Sequence, residues 1–149
     1  MVTIGGSWRI NKTVALALIY ENRERVLMQL RDFKDWISCP GKWGFFGGSL
    51  KHEESPDLAI VRELQEELDF AARAPLYFRD YYYKEEYALI HVYSCLVDLT
   101  PESLKLNEGQ ELGIFSLEEI LKGRLFSKKL QSDYPVVDIS SRILNDFFR

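Results

Sequence analysis

Glu63, Glu66 and Glu67 lie within the stretch Arg62-Glu63-Leu64-Gln65-Glu66-Glu67. At roughly 100° per residue on a helix, the three carboxylates share an arc of about 100°. Leu58, Val61, Leu64 and Leu68 fall on the other side. Such a helix has one face for a core and one that concentrates negative charge. Like charges at i, i+3 and i+4 cost a bare helix a few tenths of a kcal/mol each, on the order of 0.3. Arg62 reaches Glu66 at i+4 and relieves one pair; the remainder needs solvent or a cation. A solvated acidic face is the plain reading of an arbitrary Glu-rich helix. The pair Gly47-Gly48, just upstream, points elsewhere, because glycine lets backbone approach a ligand closely. The connection Ser49–Glu54 is short, so the glycine turn and the helix must be neighbours. Mg²⁺ binds through a few carboxylates together with substrate phosphates. Glu63, Glu66, Glu67 and a backbone carbonyl of the glycine turn make such a donor set.

The elements that hold these residues can be read from the pattern around them. Ser55 is the N-cap of the acidic helix, Pro56 takes its first position, and the helix runs to about Leu68. Val14–Tyr20 and Arg25–Leu30 flank the polar Glu21–Glu24 and predict a β-hairpin. Asp32–Lys42 predicts a long surface loop, and Trp43–Phe46 a short strand ending at Gly47-Gly48. Leu76–Tyr83 and Tyr87–Val97 are strand-like, rich in aromatic and β-branched residues. Glu111–Phe115 is one more short strand, and Ser116-Leu117-Glu118-Glu119 is a capping box opening a short helix. Ser132 or Asp133, followed by Pro135, opens a last helix through Phe148. The sum is an α/β (α+β) fold, a central mixed sheet covered by helices.

The chain has 149 residues and 17.4 kDa, which predicts a single domain over 1–149. A net charge of −4 and a pI near 5.3 argue against a nucleic-acid polymer as partner, which would need a basic face. Free nucleotides are not excluded, since a metal and a few local cations can hold their phosphates. Cys39 and Cys95 form no disulfide framework and no zinc spacing; the expectation is two reduced thiols in a cytoplasmic protein. The longest apolar run, Val14–Tyr20, has seven residues, against roughly 20 for a membrane span. No membrane span and no signal peptide are expected.

At the acidic helix the sequence resembles the Nudix hydrolase superfamily. The family box is Gly, five residues, Glu, seven residues, then Arg-Glu-aliphatic-x-Glu-Glu-x-Gly-aliphatic. Gly48 is followed after five residues by Glu54, and seven more lead to Arg62-Glu63-Leu64-Gln65-Glu66-Glu67-Leu68-Asp69-Phe70. Asp69 stands where the family has glycine. That position ends the helix, and Asp is among the residues that tolerate a left-handed backbone. Phe46 stands where many members have proline. Trp43–Gly48 looks like the family's strand into its glycine turn, and Glu108-Gly109-Gln110-Glu111 like the loop that supplies a further glutamate. The fold implied is an α/β/α sandwich with a central mixed sheet.

The resemblance implies a metal-dependent hydrolase. It would cleave the diphosphate linkage of a nucleoside diphosphate joined to a group X, by water attack at phosphorus. X would be a nucleotide, a sugar or a polyphosphate-linked nucleoside. Glu63, Glu66 and Glu67, with the Gly47 carbonyl and Glu108, would hold Mg²⁺ or Mn²⁺. Arg62 would orient the carboxylates, and Glu54 would support it. Glu63 and Glu108 are the candidate general bases, with Glu111 a third. Arg31 and Gly48 would meet the substrate. So would Tyr87, seventeen residues past Phe70 as in the dinucleoside-polyphosphate branch. The proline of the ADP-ribose branch is absent, its place taken by Glu85. Homodimers are common in the family. Two alternatives remain: a nucleotide-sugar hydrolase of the GDP-mannose type that attacks carbon, and a nucleotide-sensing module without turnover. Of the two histidines, His52 lies in the loop before the helix, and His91 within an apolar strand where a structural role is expected.

Overall fold

The computed structural model describes residues 2–4, 8–68, 75–99 and 109–149. Two short strands, β1 (Val2–Ile4) and β2 (Trp8–Ile10), form an antiparallel ribbon. They precede the predicted hairpin of β3 (Lys12–Asn22) and β4 (Arg25–Leu30). Next come β5 (Trp43–Gly44), β6 (Phe46–Ser49) and the acidic helix α1 (Pro56–Leu68). After them follow β7 (Leu76–Tyr83), a 3₁₀ turn at Lys84–Glu86 and β8 (Ala88–Leu96). The chain continues through β9 (Glu111–Phe115), α2 (Leu117–Leu121), β10 (Arg124–Ser127), β11 (Ser132–Pro135) and α3 (Asp138–Phe147).

The central sheet runs β5-β4-β3-β8-β7, with β6 also on β3 and β9 also on β4. It is mixed because β3 and β8 pair in parallel, from Lys12↔Ala88 to Tyr20↔Leu96. Strand β3 holds β4 only at its far end, around Tyr20↔Val26, and a register shift follows. Its near half pairs instead with β6, from Val14↔Ser49 to Ala17↔Phe46. The sheet therefore splays between β3 and β4, and the glycine turn enters the opening.

Alternation along β3 sends Ala15, Ala17 and Ile19 to one face and Val14, Leu16 and Leu18 to the other. The first face packs against Ala59, Ile60, Leu64 and Leu68 of α1. The second packs against α2 and α3 through Ile120, Ile139, Ile143 and Leu144. The result is an α/β/α sandwich. Burying Ile60, Leu64 and Leu68 stabilises α1 by about 1.5–3 kcal/mol each. That exceeds the like-charge cost on its other face, about 0.3 kcal/mol per pair, so packing holds the helix in spite of its charge.

Two expectations are corrected here. Trp43–Phe46 is not one strand. Phe45 points into the α3-side core and Phe46 into the α1-side core, so consecutive rings anchor two layers and the strand breaks between them. Phe46 is fully buried beside Ala17, a core filler at the position where many Nudix members have proline. The last helix does not open at Ser132 or Asp133. These residues and Pro135 form β11, paired with β10 from Ser127↔Ser132 to Arg124↔Pro135, and α3 begins at Asp138. The capping box of α2 is present as expected, Ser116 and Glu119 each accepting from the other's backbone N–H.

Candidate functional site

Arg62 organises the acidic face of α1. Its guanidinium forks onto Glu54, Nε to Oε2 at 2.7 Å and Nη2 to Oε1 at 2.8 Å. Nη1 donates to Glu63 at 2.9 Å and to Glu66 at 3.2 Å. Nη2 also donates to the Ser49 carbonyl. One side chain thus ties the end of β6, the entry loop and two helix carboxylates together. The Arg62 bond and the Lys51 backbone N–H hold the Glu54 carboxyl far below its ordinary range, at about 2. Bonding to Glu54, and then to Glu63, raises Arg62 and keeps it charged.

Glu67 faces inward and is 4% exposed. It accepts from the Gln29 side-chain amide at 3.2 Å and from the Gly47 N–H at 3.3 Å. Gln29 is itself buried and also donates to the Phe45 carbonyl. Gly47 has φ +138°, and a Cβ there would stand 2.0 Å from the Ala15 carbonyl oxygen. A Cβ on Gly48 would stand 2.6 Å from Glu63 Oε1. Only glycine lets β6 lie against β3 and Glu63 lie against β6.

Glu63, Glu67, Gly47 and Gly48 line a cleft of about 500 Å³ whose other wall includes Gln29, Arg31, Asp32 and Lys34. Glu66 stands outside that lining, exposed and joined to it through Arg62. Among the described residues, no group of three or more Asp, Glu, His or Cys side chains already converges on one metal-sized point. The donor set nonetheless suits a hard cation. Glu54, Glu63 and Glu66 share the Arg62 guanidinium, and Glu67 lies beside them on the Gly47 N–H; their carboxylate oxygens are the ligands Mg²⁺ prefers.

Other expected residues sit as follows. Arg31 donates through Nε to the Ser38 carbonyl at 2.6 Å and reaches the cleft. Glu108 lies outside the described residues, as does Asp69. Glu111 is taken up by the β10–β11 turn. It accepts from the Ser127 hydroxyl at 2.5 Å and from the Lys128 and Lys129 N–H groups at 3.2 Å. Tyr87 lies outside the lining of the cleft, in the left-handed conformation that closes the 3₁₀ turn, with Arg9 over its ring. His52 is exposed beside Glu53, and His91 pairs with Asp80 at 2.6 Å.

A second cavity, of about 240 Å³, opens on the opposite side of the glycine turn and shares Arg31, Gly47 and Gly48 with the cleft. Its apolar walls come from Val14, Leu16 and Ile90 of the sheet, Phe45, and Val137 and Ile139 at the start of α3. Polar groups reach it from Lys12, Ser38, Cys39, Tyr83, Glu86 and Ser140. Lys12, Ser38 and Glu86 here, and Gln29 in the cleft, are site residues beyond those expected from the sequence. Gln29 had a signal, being the one polar residue in the apolar run Val26–Leu30. The others had none, because they meet only through the β3–β8 register.

In this α/β/α sandwich an arginine-bound acidic helix lies against a glycine turn. The NUDIX domain model matches residues 10–136, and the chain belongs to that family of hydrolases. It is 31% identical over 107 residues to the CTP pyrophosphohydrolase of Escherichia coli (strain K12), covering 72% of this chain and 78% of that protein. Among solved structures, the E. coli ORF135 protein is similar at 27% identity and TM-score 0.66, over 97% of this chain and 93% of that one. The MutT NUDIX hydrolase of Burkholderia pseudomallei shares the fold at 20% identity and TM-score 0.68, over 90% and 95%. Among the described residues, no helix is long and apolar enough to cross a membrane.

Proposed function

We propose that this chain is a metal-dependent nucleotide pyrophosphohydrolase, cleaving the diphosphate linkage of a nucleoside diphosphate derivative by water attack at phosphorus. The observation that carries it is the Arg62 fork, which holds Glu54, Glu63 and Glu66 together beside Glu67 and the Gly47-Gly48 turn. The kinship with a CTP pyrophosphohydrolase supports a nucleotide as substrate. Glu63, Glu66 and Glu67 would hold Mg²⁺ or Mn²⁺, with the Gly47 carbonyl and Glu108 as further oxygen ligands. Bound there, a divalent cation neutralises the diphosphate and lowers the pKa of water. Arg62 aims the Glu54, Glu63 and Glu66 carboxylates through charge-assisted hydrogen bonds. Arg31 meets a phosphate from the opposite wall, the Gly48 backbone lies beside it, and Glu63 or Glu108 takes the proton of the attacking water. Glu111 is set aside as the base, since its oxygens are committed to the β10–β11 turn.

The test is phosphate and pyrophosphate release from nucleoside triphosphates, nucleotide sugars and dinucleoside polyphosphates, with and without Mg²⁺ or Mn²⁺, in ¹⁸O-labelled water. Metal-dependent turnover with label on a phosphate product is expected. Label on a sugar would establish the carbon-attacking alternative. Tight nucleotide binding with no turnover of any class would establish a sensing module.

A further inference from the structure

The second cavity has a polar corner that the hydrolytic chemistry does not use. Lys12 Nζ lies 2.5 Å from Glu86 Oε1, and the Ser38 hydroxyl donates to the same oxygen at 2.9 Å. Lys12 also donates to Ser38 Oγ at 2.8 Å. Among the described residues, Glu86 Oε2 receives the Cys39 thiol alone, at 3.4 Å, and a thiol is a weak donor. One carboxylate oxygen is therefore fixed, and the other retains acceptor capacity toward the cavity that Glu86 lines. Burial pushes the Glu86 carboxyl up, but the Lys12 and Ser38 bonds outweigh it and keep it below the ordinary range. It stays an ionised acceptor at neutral pH. Both loops that build the corner are locked by non-glycine residues in the left-handed region, Cys39 at φ 48° and Tyr87 at φ 49°. Such conformations are strained and persist where the surroundings enforce them.

The cavity joins the carboxylate cleft across the glycine turn. A nucleotide whose phosphates lie against α1 would place its base here, a flat apolar body between the sheet and the start of α3. We propose that Glu86, braced by Lys12 and Ser38, selects a nucleobase that carries an exocyclic amino group. An amino group offers hydrogens to Oε2 with no acceptor at the same atom. Uracil and thymine present their one N–H between two carbonyl oxygens, and one of these would abut the carboxylate. Hydrogen bonds to a charged partner are the stronger kind, and an unpaired buried acceptor is penalised. This inference rests on the nucleotide reading above.

The test is direct binding of CMP and UMP to the intact chain by calorimetry without metal, which separates recognition from hydrolysis. The two bases differ in their hydrogen-bonding groups at one edge. CMP is expected to bind about tenfold or more tightly than UMP, and Glu86→Gln to bring the two within about threefold. A CMP analogue lacking the 4-amino group is expected to bind the unaltered protein about as weakly as UMP, which removes any dependence on how the variant folds. Equal binding of CMP and the analogue that lacks the 4-amino group would overturn the proposal, as would failure of both CMP and UMP to bind. Base-selective binding without any hydrolysis would instead sink the hydrolase reading and leave this one standing.

Discussion

The two hollows that meet at Gly47-Gly48 are built in opposite ways. The carboxylate cleft draws its chemistry from one helix and the loop before it. Arg62, Glu63, Glu66 and Glu67 are consecutive turns of α1, and Glu54 lies eight residues before Arg62. The second cavity draws Lys12, Ser38 and Glu86 from three distant segments. They meet because β3 and β8 run parallel with Lys12 opposite Ala88. A local set keeps its geometry through helix spacing alone, whereas a distant set depends on sheet register and loop conformation. The first suits an invariant reaction, the second a selectivity that can change without disturbing the reaction.

The comparison breaks most readily at Glu67. Glu67→Gln is expected to lower kcat by about a thousandfold, or about 4 kcal/mol of activation free energy, in a metal-saturated steady-state assay. Its melting temperature in metal-free buffer should be nearly unchanged, because removing a buried charge offsets the hydrogen bond lost where the new amide NH₂ faces the Gly47 N–H or the Gln29 amide. A variant that unfolds would make Glu67 a structural residue, and the cleft would lose its chemical role.

Gly47→Ala tests the hinge that both hollows share. The Cβ would collide with the Ala15 carbonyl, at a φ that L residues avoid. A loss of about 3 kcal/mol is expected in urea unfolding. The atoms nearest a Cβ on Gly48 all belong to the movable Glu63 carboxylate, so Gly48→Ala should displace that side chain, lowering activity far more than stability. If both alanines destabilise alike, the turn is structural throughout.

The smallest effect lies at Glu54. Its carboxyl is ordinarily half-protonated near pH 4.5 and in the folded chain only at about 2. A depressed folded pKa stabilises the fold above the unfolded value, and that contribution is lost as pH falls from about 4.5 to about 2. The urea midpoint of the unaltered protein should fall toward that of Glu54→Gln across this window. A constant gap between the two curves would remove the Arg62 fork from the account.

How much of this was written in the sequence follows from the same contrast. Helix α1 was legible because Ser55, Pro56 and the spacing of Leu64 and Leu68 signal it locally, and the Arg62–Glu66 pair was implied by i+4 spacing. Leu58 and Val61, expected on its core face, are exposed instead, and Ala59 and Ile60 pack there. The break between Phe45 and Phe46 was not, because only the two cores reveal that adjacent rings face opposite ways. Ser132-Asp133 mimicked a helix cap, and β11 formed instead because β10 offered a partner. Glu111 looked available as a base until the β10–β11 turn folded over it. Glu86 carried no local signal at all.

The division of labour is tested most directly by kcat/KM for CTP and UTP, measured side by side for the unaltered chain, Glu67→Gln and Glu86→Gln at saturating Mg²⁺. The account predicts that Glu67→Gln lowers both values by a common factor and keeps their ratio. Glu86→Gln should instead collapse the ratio to within about threefold. A ratio that moves with Glu67→Gln, or a Glu86→Gln that lowers both substrates equally, would contradict it.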